Sequence, residues 1–327
     1  MRGPWRRRRG SCACSAGHLW TRSTSRGPPR HGRGVDVTEV CREIWRRGGT
    51  ALSAELDLDR RSLRRAVASG DVVRLARGVY ALSSHQAPVL AAARVRGTAS
   101  HASAAQLWML ELVKDPVLPH VTVRRNRSAL PAGLVLHWCD LPGSDVDGLV
   151  TTPLRTVVDC ARTMPLPEAL AVADSALRRG LLTEDELVAR AAATRGPGSS
   201  AVRLVARSAS ADAANPFESA LRGLALEAGV RGLRPQVVLE VRSGKVRPDL
   251  VDRRLRLVAE ADSFAWHGQR SALASDCQRY DELVADRWTV LRFAWEQVMF
   301  DQEWVREVLR DTAAWLETVP SSMHEAA

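Results

Sequence analysis

Apolar residues along this chain occur in short periodic runs, separated by breaks rich in glycine, proline and small polar residues. The period of each run predicts an element. Residues 36–49, DVTEVCREIWRRGG, set Val40, Ile44 and Trp45 on one helical face and stop at Gly48-Gly49. TALSAELDLD, residues 50–59, predicts a second short helix. DRRSLRRAVASG predicts a third, with Leu63 and Val67 inward and Gly70 as its C-terminal stop. DVVRLARGVYAL then reads as two strands joined by a tight turn around Ala76, Arg77 and Gly78. Three helices and a hairpin describe a winged helix-turn-helix over residues 35–86, whose third helix is the one that enters a DNA major groove. On that helix Arg60, Arg61, Arg64 and Arg65 form two i,i+4 pairs on adjoining faces, and Arg74 and Arg77 lie on the wing within reach of phosphate. The plainer alternative is a solvated helix in an arginine-rich chain.

Residues 87–195 mix a helix (HASAAQLWMLEL), strand-like runs (HVTVRR, LVLHWCDL) and further helices (TPLRTVVDCARTM, PEALAVADSALRRG). His101, His120 and His137 are far apart in sequence there and read as structural or surface residues. This middle α/β region carries no catalytic pattern. Small residues dominate 190–216, and 196–214 is expected to be a linker with one short helix. From 215 to 318 the order is helix, strand, strand, strand, helix, strand, helix. Asn215 caps the first of these, Pro216 opens it and Gly229 ends it. RPQVVLEV and VRPDLVD are strands joined through RSGK, and RLRLVAEAD is the next strand. The expected fold class is α/β built from α+β modules, ending in a three-layer domain around a central mixed sheet.

Composition changes this picture little. The 45% apolar content is ordinary for a folded chain, and no run approaches the roughly 18 apolar residues of a membrane span. Of the 47 basic residues, nine are arginines in residues 1–34, which contain no acid; the remaining 38 face 37 acids. The net +10 therefore belongs to the tail and is not a global signature of nucleic-acid binding. That tail reads as disordered, and it is either a basic arm, a transit segment or a stretch upstream of a true start at Val35. Residues 319–327 read as a second disordered tail. The six cysteines form no C-x-x-C pair, as expected of reduced thiols in the cytoplasm.

The chemistry is concentrated in PDLVDRRLRLVAEAD, residues 248–262. Strand alternation puts Leu255, Leu257, Ala259 and Ala261 on one face and Val258, Glu260 and Asp262 on the other. The two acids then lie about 7 Å apart, and a hairpin brings Asp249 alongside. Gathered carboxylates raise one another's pKa and are costly unless a cation neutralises them. Their hard oxygens suit Mg²⁺ or Mn²⁺, which activate water and stabilise charge on a phosphodiester.

PD, ten residues, then EAD resembles the PD-(D/E)xK motif of restriction-endonuclease-like nucleases, with Asp262 where lysine usually stands. DSFAWHG and the later RYDELVADRWTVLRFAW are similar to the very-short-patch-repair endonuclease branch, over roughly 215–310. The resemblance implies a metal held by Asp249 and Glu260, with Glu218 as accessory acid and His267 near the scissile phosphate. It also implies that Arg292 orients the metal-binding strand or contacts phosphate. Each has a simpler role: Glu218 as a capping acid, Asp249 and Asp262 as turn acids, His267 as a loop histidine. The front, residues 36–83, resembles the winged helix of abortive-infection type IV antitoxins, DNA-binding repressors of their own operons; TTPLRTVVDCAR extends the likeness weakly.

Two functions follow from these expectations. One is a DNA-binding, Mg²⁺-dependent endonuclease; the other is a non-catalytic DNA-binding antitoxin or regulator that retains an inactive nuclease-like domain. DNA is the expected partner of either, joined in the second by a cognate toxin or defence-system protein. A metal-independent hydrolase lacks a motif such as G-x-S-x-G.

Overall fold

The computed structural model describes residues 36–45, 50–56, 58–76, 78–82, 87–128, 132–262 and 270–319. The first helical pattern folds as α1 (Val37–Trp45), and its apolar stripe buries Val40 and Ile44. Residues 50–59, expected to be helical, instead supply β1 (Thr50–Leu52) and a turn. Their two buried apolar residues, Ala51 and Leu56, are five apart and do not form a helical face. The strand finds its hydrogen bonds on the wing, where Thr50 pairs with Ala81 and Leu52 with Val79. The Glu55 carboxylate then closes the turn on the Leu52 N–H. Asp59 restarts the helix by accepting the Ser62 N–H at 2.8 Å, giving α2 (Arg60–Ala68). With β2 (Val72–Ala76) and β3 (Val79–Leu82) the module is a three-stranded antiparallel sheet, ordered β1-β3-β2, against two helices.

The middle region begins with α3 (Ala87–Arg94), β4 (Thr98–Ala99), α4 (His101–Leu107), β5 (His120–Val123) and β6 (Val135–Trp138). It continues through β7 (Val146–Asp147), β8 (Val150–Thr151), α5 (Pro153–Thr163), α6 (Leu166–Arg178), α7 (Glu184–Ala193) and α8 (Ser199–Ser208). Its strands form one mixed sheet, β6-β5-β4-β8-β7. The TTPLR turn has a structural use: Thr152 caps α5, and Arg155 bridges the buried carboxylates of Asp145 (2.9 Å) and Asp159 (2.8 Å). Residues 196–214 are packed rather than a loose tether. Val202, Val205 and Ala206 of α8 are buried in the same core as α5, α6 and α7.

The last region comprises α9 (Pro216–Glu227), β9 (Arg234–Pro235), β10 (Leu239–Val241), β11 (Gly244–Val246), β12 (Leu250–Asp252) and β13 (Leu257–Asp262). Then come α10 (Arg270–Ala285), β14 (Thr289–Ala294), α11 (Trp295–Phe300) and α12 (Gln302–Thr318). RPQVVLEV is broken because Gln236 takes φ +57°, and VRPDLVD is broken at Pro248, which has no N–H for a ladder. The sheet is β14-β13-β12-β9, antiparallel except for the β13–β14 pair. Leu257, Ala259, Leu250 and Phe293 face the core made with α9, α11 and α12. Val258, Val251 and Leu283 form a second core with α10 and the β10–β11 hairpin. Helices therefore cover both faces, and the architecture is mixed α/β throughout.

The middle and last regions are joined by α6 against α9. Gly223 lets these helices touch: a Cβ there would meet the Pro167 Cα at 2.5 Å. Beside it Arg222 and Asp174 form a buried ion pair at 2.5 Å, and the Ser219 hydroxyl donates to Asp174 at 2.7 Å. No helix among the described residues is long and apolar enough to cross a membrane.

Candidate acidic site and nucleic-acid interface

The β12–β13 register sets Leu250 opposite Ala259, so Asp249 comes opposite Glu260 on the face toward α10. The backbone locks the pair: Asp249 N–H donates to Glu260 Oε2 at 3.2 Å, and Ala261 N–H donates to Asp249 Oδ2 at 2.9 Å. Glu260 is 4% exposed. Burial first, and then the Asp249 charge, pushes its carboxyl up to about 7, against the pull of Arg279. Burial also raises Asp249.

Asp262 shares that face but turns outward to Arg292, whose Nε donates to Asp262 Oδ2 at 2.7 Å. Arg292 is the parallel register partner of Glu260 and lies 4.2 Å from the Tyr280 ring centroid. Arg279 lies 4.6 Å from the same ring centroid, and its Nη1 is 3.7 Å from Glu260 Oε1. Burial, then the Glu260 charge, pushes the Tyr280 phenol up to about 12.

Glu218 is 1% exposed, and its oxygens carry three donors: the Asn215 amide (2.7 Å), the Ala214 N–H (3.0 Å) and the Gln236 amide (3.0 Å). Its carboxyl is raised by burial and, more weakly, by Asp249. The carboxylate thus closes the entry to its own helix and borders the acidic pair. His267 lies outside the described residues, as does Arg77.

Among the described residues no three His, Cys, Asp or Glu side chains converge closely enough to cage a metal ion. The Asp249–Glu260 pair still fits a hard divalent cation: Glu260 Oε1 is buried and has no hydrogen-bond partner. Mg²⁺ characteristically takes only one or two protein carboxylates and keeps several waters.

On the winged helix Arg60, Arg61, Arg64 and Arg65 are all exposed along α2, and Arg74 is exposed on β2. Leu63 and Ala66 are buried beneath them, so the basic face is the outer one.

One cluster has no sequence signature. His120 and His137 on strands β5 and β6 meet His101 at the start of α4: His101 stacks on His137 with centroids 3.4 Å apart, and His120 Nδ1 lies 3.1 Å from His137 Nε2. His101 has φ +52° and its Nδ1 is 2.9 Å from Ser100 Oγ. Burial first, then the neighbouring rings, lowers His101 to about 2 and His137 to about 4; burial lowers His120. Burial thus disfavours the charged form of all three rings. No spacing rule joins residues 17 and 19 positions apart; the parallel β5–β6 pairing brings His120 to His137, and the packing of α4 on β5 adds His101.

Residues 43–83, from within α1 to the end of the wing, match a family model described as a transcriptional regulator, AbiEi antitoxin. Two curated proteins of Mycobacterium tuberculosis, one from each of two strains and both named as uncharacterized, are 28% identical to this chain over 243 residues. The matched stretch covers 72% of this chain and 89% of each relative.

Proposed function

We propose that this chain is a DNA-binding protein that hydrolyses phosphodiester bonds at Asp249 and Glu260 with a divalent cation. The observation carrying the hydrolytic reading is the buried pair itself, with Glu260 Oε1 accepting no hydrogen bond and facing only the Arg279 guanidinium at 3.7 Å. The DNA-binding reading is supported by the exposed arginines of α2 and by the likeness of residues 43–83 to an antitoxin-type transcriptional regulator.

Asp249 and Glu260 would hold Mg²⁺ or Mn²⁺, which supplies Lewis-acid stabilisation of charge at a phosphoryl oxygen. The chain's own groups set the rest. Glu218 keeps the α9 entry against the pair, and Arg279 offers a guanidinium beside it. Asp262 cannot act as the cation that lysine provides at its position, because it is an acid paired with Arg292.

A second reading, a non-catalytic antitoxin or regulator with a cognate toxin as partner, is favoured by that same arrangement. Arg279 and Arg292 already compensate Glu260 and Asp262 without a metal. The deciding experiment incubates the full chain with supercoiled and linear DNA in Mg²⁺, Mn²⁺ or EDTA, alongside Asp249→Ala. Metal-dependent nicking that disappears in the variant establishes the hydrolase. Tight binding with no cleavage by either protein establishes the regulator.

A further inference from the structure

Five arginines lie on segments that meet at one end of the middle sheet, none of them on α2 or in the acidic pair. Arg124 and Arg125 follow the last residue of β5 and are exposed, as is Asn126. Arg127 reaches back, its Nη2 donating to the Val95 carbonyl at 2.9 Å. Val95 lies between Arg94, the last residue of α3, and Arg96, both exposed. Trp138 ends β6 with 53% of its surface exposed, and its Nε1 donates to the Arg127 carbonyl at 3.2 Å. These bonds fix the three segments as one patch. Arg124, Arg125, Asn126, Asp140 and Leu141 line a hollow of about 480 Å³ within it.

Asp140 is the one acid of these segments, and its contact with Arg125 is long (4.0 Å) and solvent-exposed at both ends. A pair of that kind contributes little. Beyond residue 34 the chain is close to charge balance, with 38 basic residues against 37 acidic. Five arginines against one acid within these segments, with Glu55 the acid that shares a hollow with Arg96, are therefore a local excess, not the chain's average. Guanidinium forks match phosphate oxygens, and an exposed indole among them offers a stacking surface. The patch also adjoins the DNA-binding module, since α3 packs on β2 and β3 of the wing.

We propose that Arg94, Arg96, Arg124 and Arg125, with Trp138, form a second DNA contact that grips the phosphodiester backbone beside the segment engaged by the winged helix. The proposal rests on the DNA-binding reading and is independent of hydrolysis.

The test is fluorescence anisotropy of the full chain across a salt series, in EDTA. It compares a duplex of about 12 base pairs, roughly one helical turn, with one of about 30. Arg94→Gln/Arg96→Gln/Arg124→Gln/Arg125→Gln leaves Arg127 in place, so the corner at Val95 is retained, and the melting temperature checks the fold. The expected result is at least about tenfold weaker binding to the long duplex, with the log–log salt slope reduced by about 0.9 for each phosphate that is no longer neutralised. Binding to the short duplex stays near wild type. Arg64→Gln/Arg65→Gln weakens binding to both. If the quadruple variant matches wild type on the long duplex while the α2 variant is weakened, the patch is a solvated face or serves an acidic protein, and the proposal is overturned. If wild type binds neither duplex, the DNA-binding reading falls and this proposal with it.

Discussion

At the level of single residues, charge and burial make opposing demands. Asp249 and Glu260 repel each other in a site with little water, and the pair is tolerated because the backbone and Arg279 partly satisfy it. Asp249→Asn should therefore raise thermal stability in EDTA and abolish any stabilisation by added Mn²⁺. Differential scanning fluorimetry with and without Mn²⁺ measures both; Mn²⁺ stabilisation that persists in the variant would place the cation elsewhere. The imidazole stack gives a second residue-level expectation. Its folded pKa values lie below the ordinary 6.5, so the unfolded chain takes up protons first. The stabilising contribution is complete above about pH 6.5 and is lost as pH falls, through about 4 for His137 and on toward about 2 for His101. For His101, deeply buried, this amounts to roughly 2 kcal/mol at pH 5. His101→Asn keeps a residue type that tolerates the left-handed backbone, and should flatten the acid limb between pH 6.5 and 5 in urea titrations. An unchanged acid limb would mean that His101 is protonated in the fold.

Elements follow their local pattern except where a long-range partner outbids it. The helices α2 and α9 are legible because side-chain caps, prolines and stops are written within a few residues. Residues 50–52 are strand because wing strand β3 offers them a ladder, which their own spacing does not announce. Small residues at 196–214 read as a linker, yet alanines and valines there pack between helices at close range. Gly223 shows the same logic. Gly223→Ala places a methyl group against the Pro167 backbone and should cost about 1–3 kcal/mol by overpacking, read as a lower urea midpoint. A neutral effect would mean that α6 and α9 stand further apart.

Across the whole molecule, the α6–α9 contact joins the middle region to the last. The buried Arg222–Asp174 pair makes that joint sensitive, because removing one partner leaves an uncompensated charge. Asp174→Ala should lower stability by about 3–5 kcal/mol and shift the unfolding of both regions together. Hydrogen exchange resolved by region checks this: weakened protection in α5 and α9 alike supports a common unit, whereas weakening confined to α6 would mean two independent domains.

Sequence alone determined the basic outer face of α2, the β2–β3 wing that follows it, and the capped start of α9. It also set Glu260 and Asp262 on one face with Asp249 opposite. All of these depend on helical or strand periodicity and on short hairpin pairing. Tertiary structure decided the histidine stack, the arginine patch around Val95 and Trp138, and the turning of Asp262 toward Arg292. It also decided the docking of α6 on α9. Each depends on which distant surfaces bury one another, and a surface records its own polarity in the sequence but not the identity of the surface that will cover it.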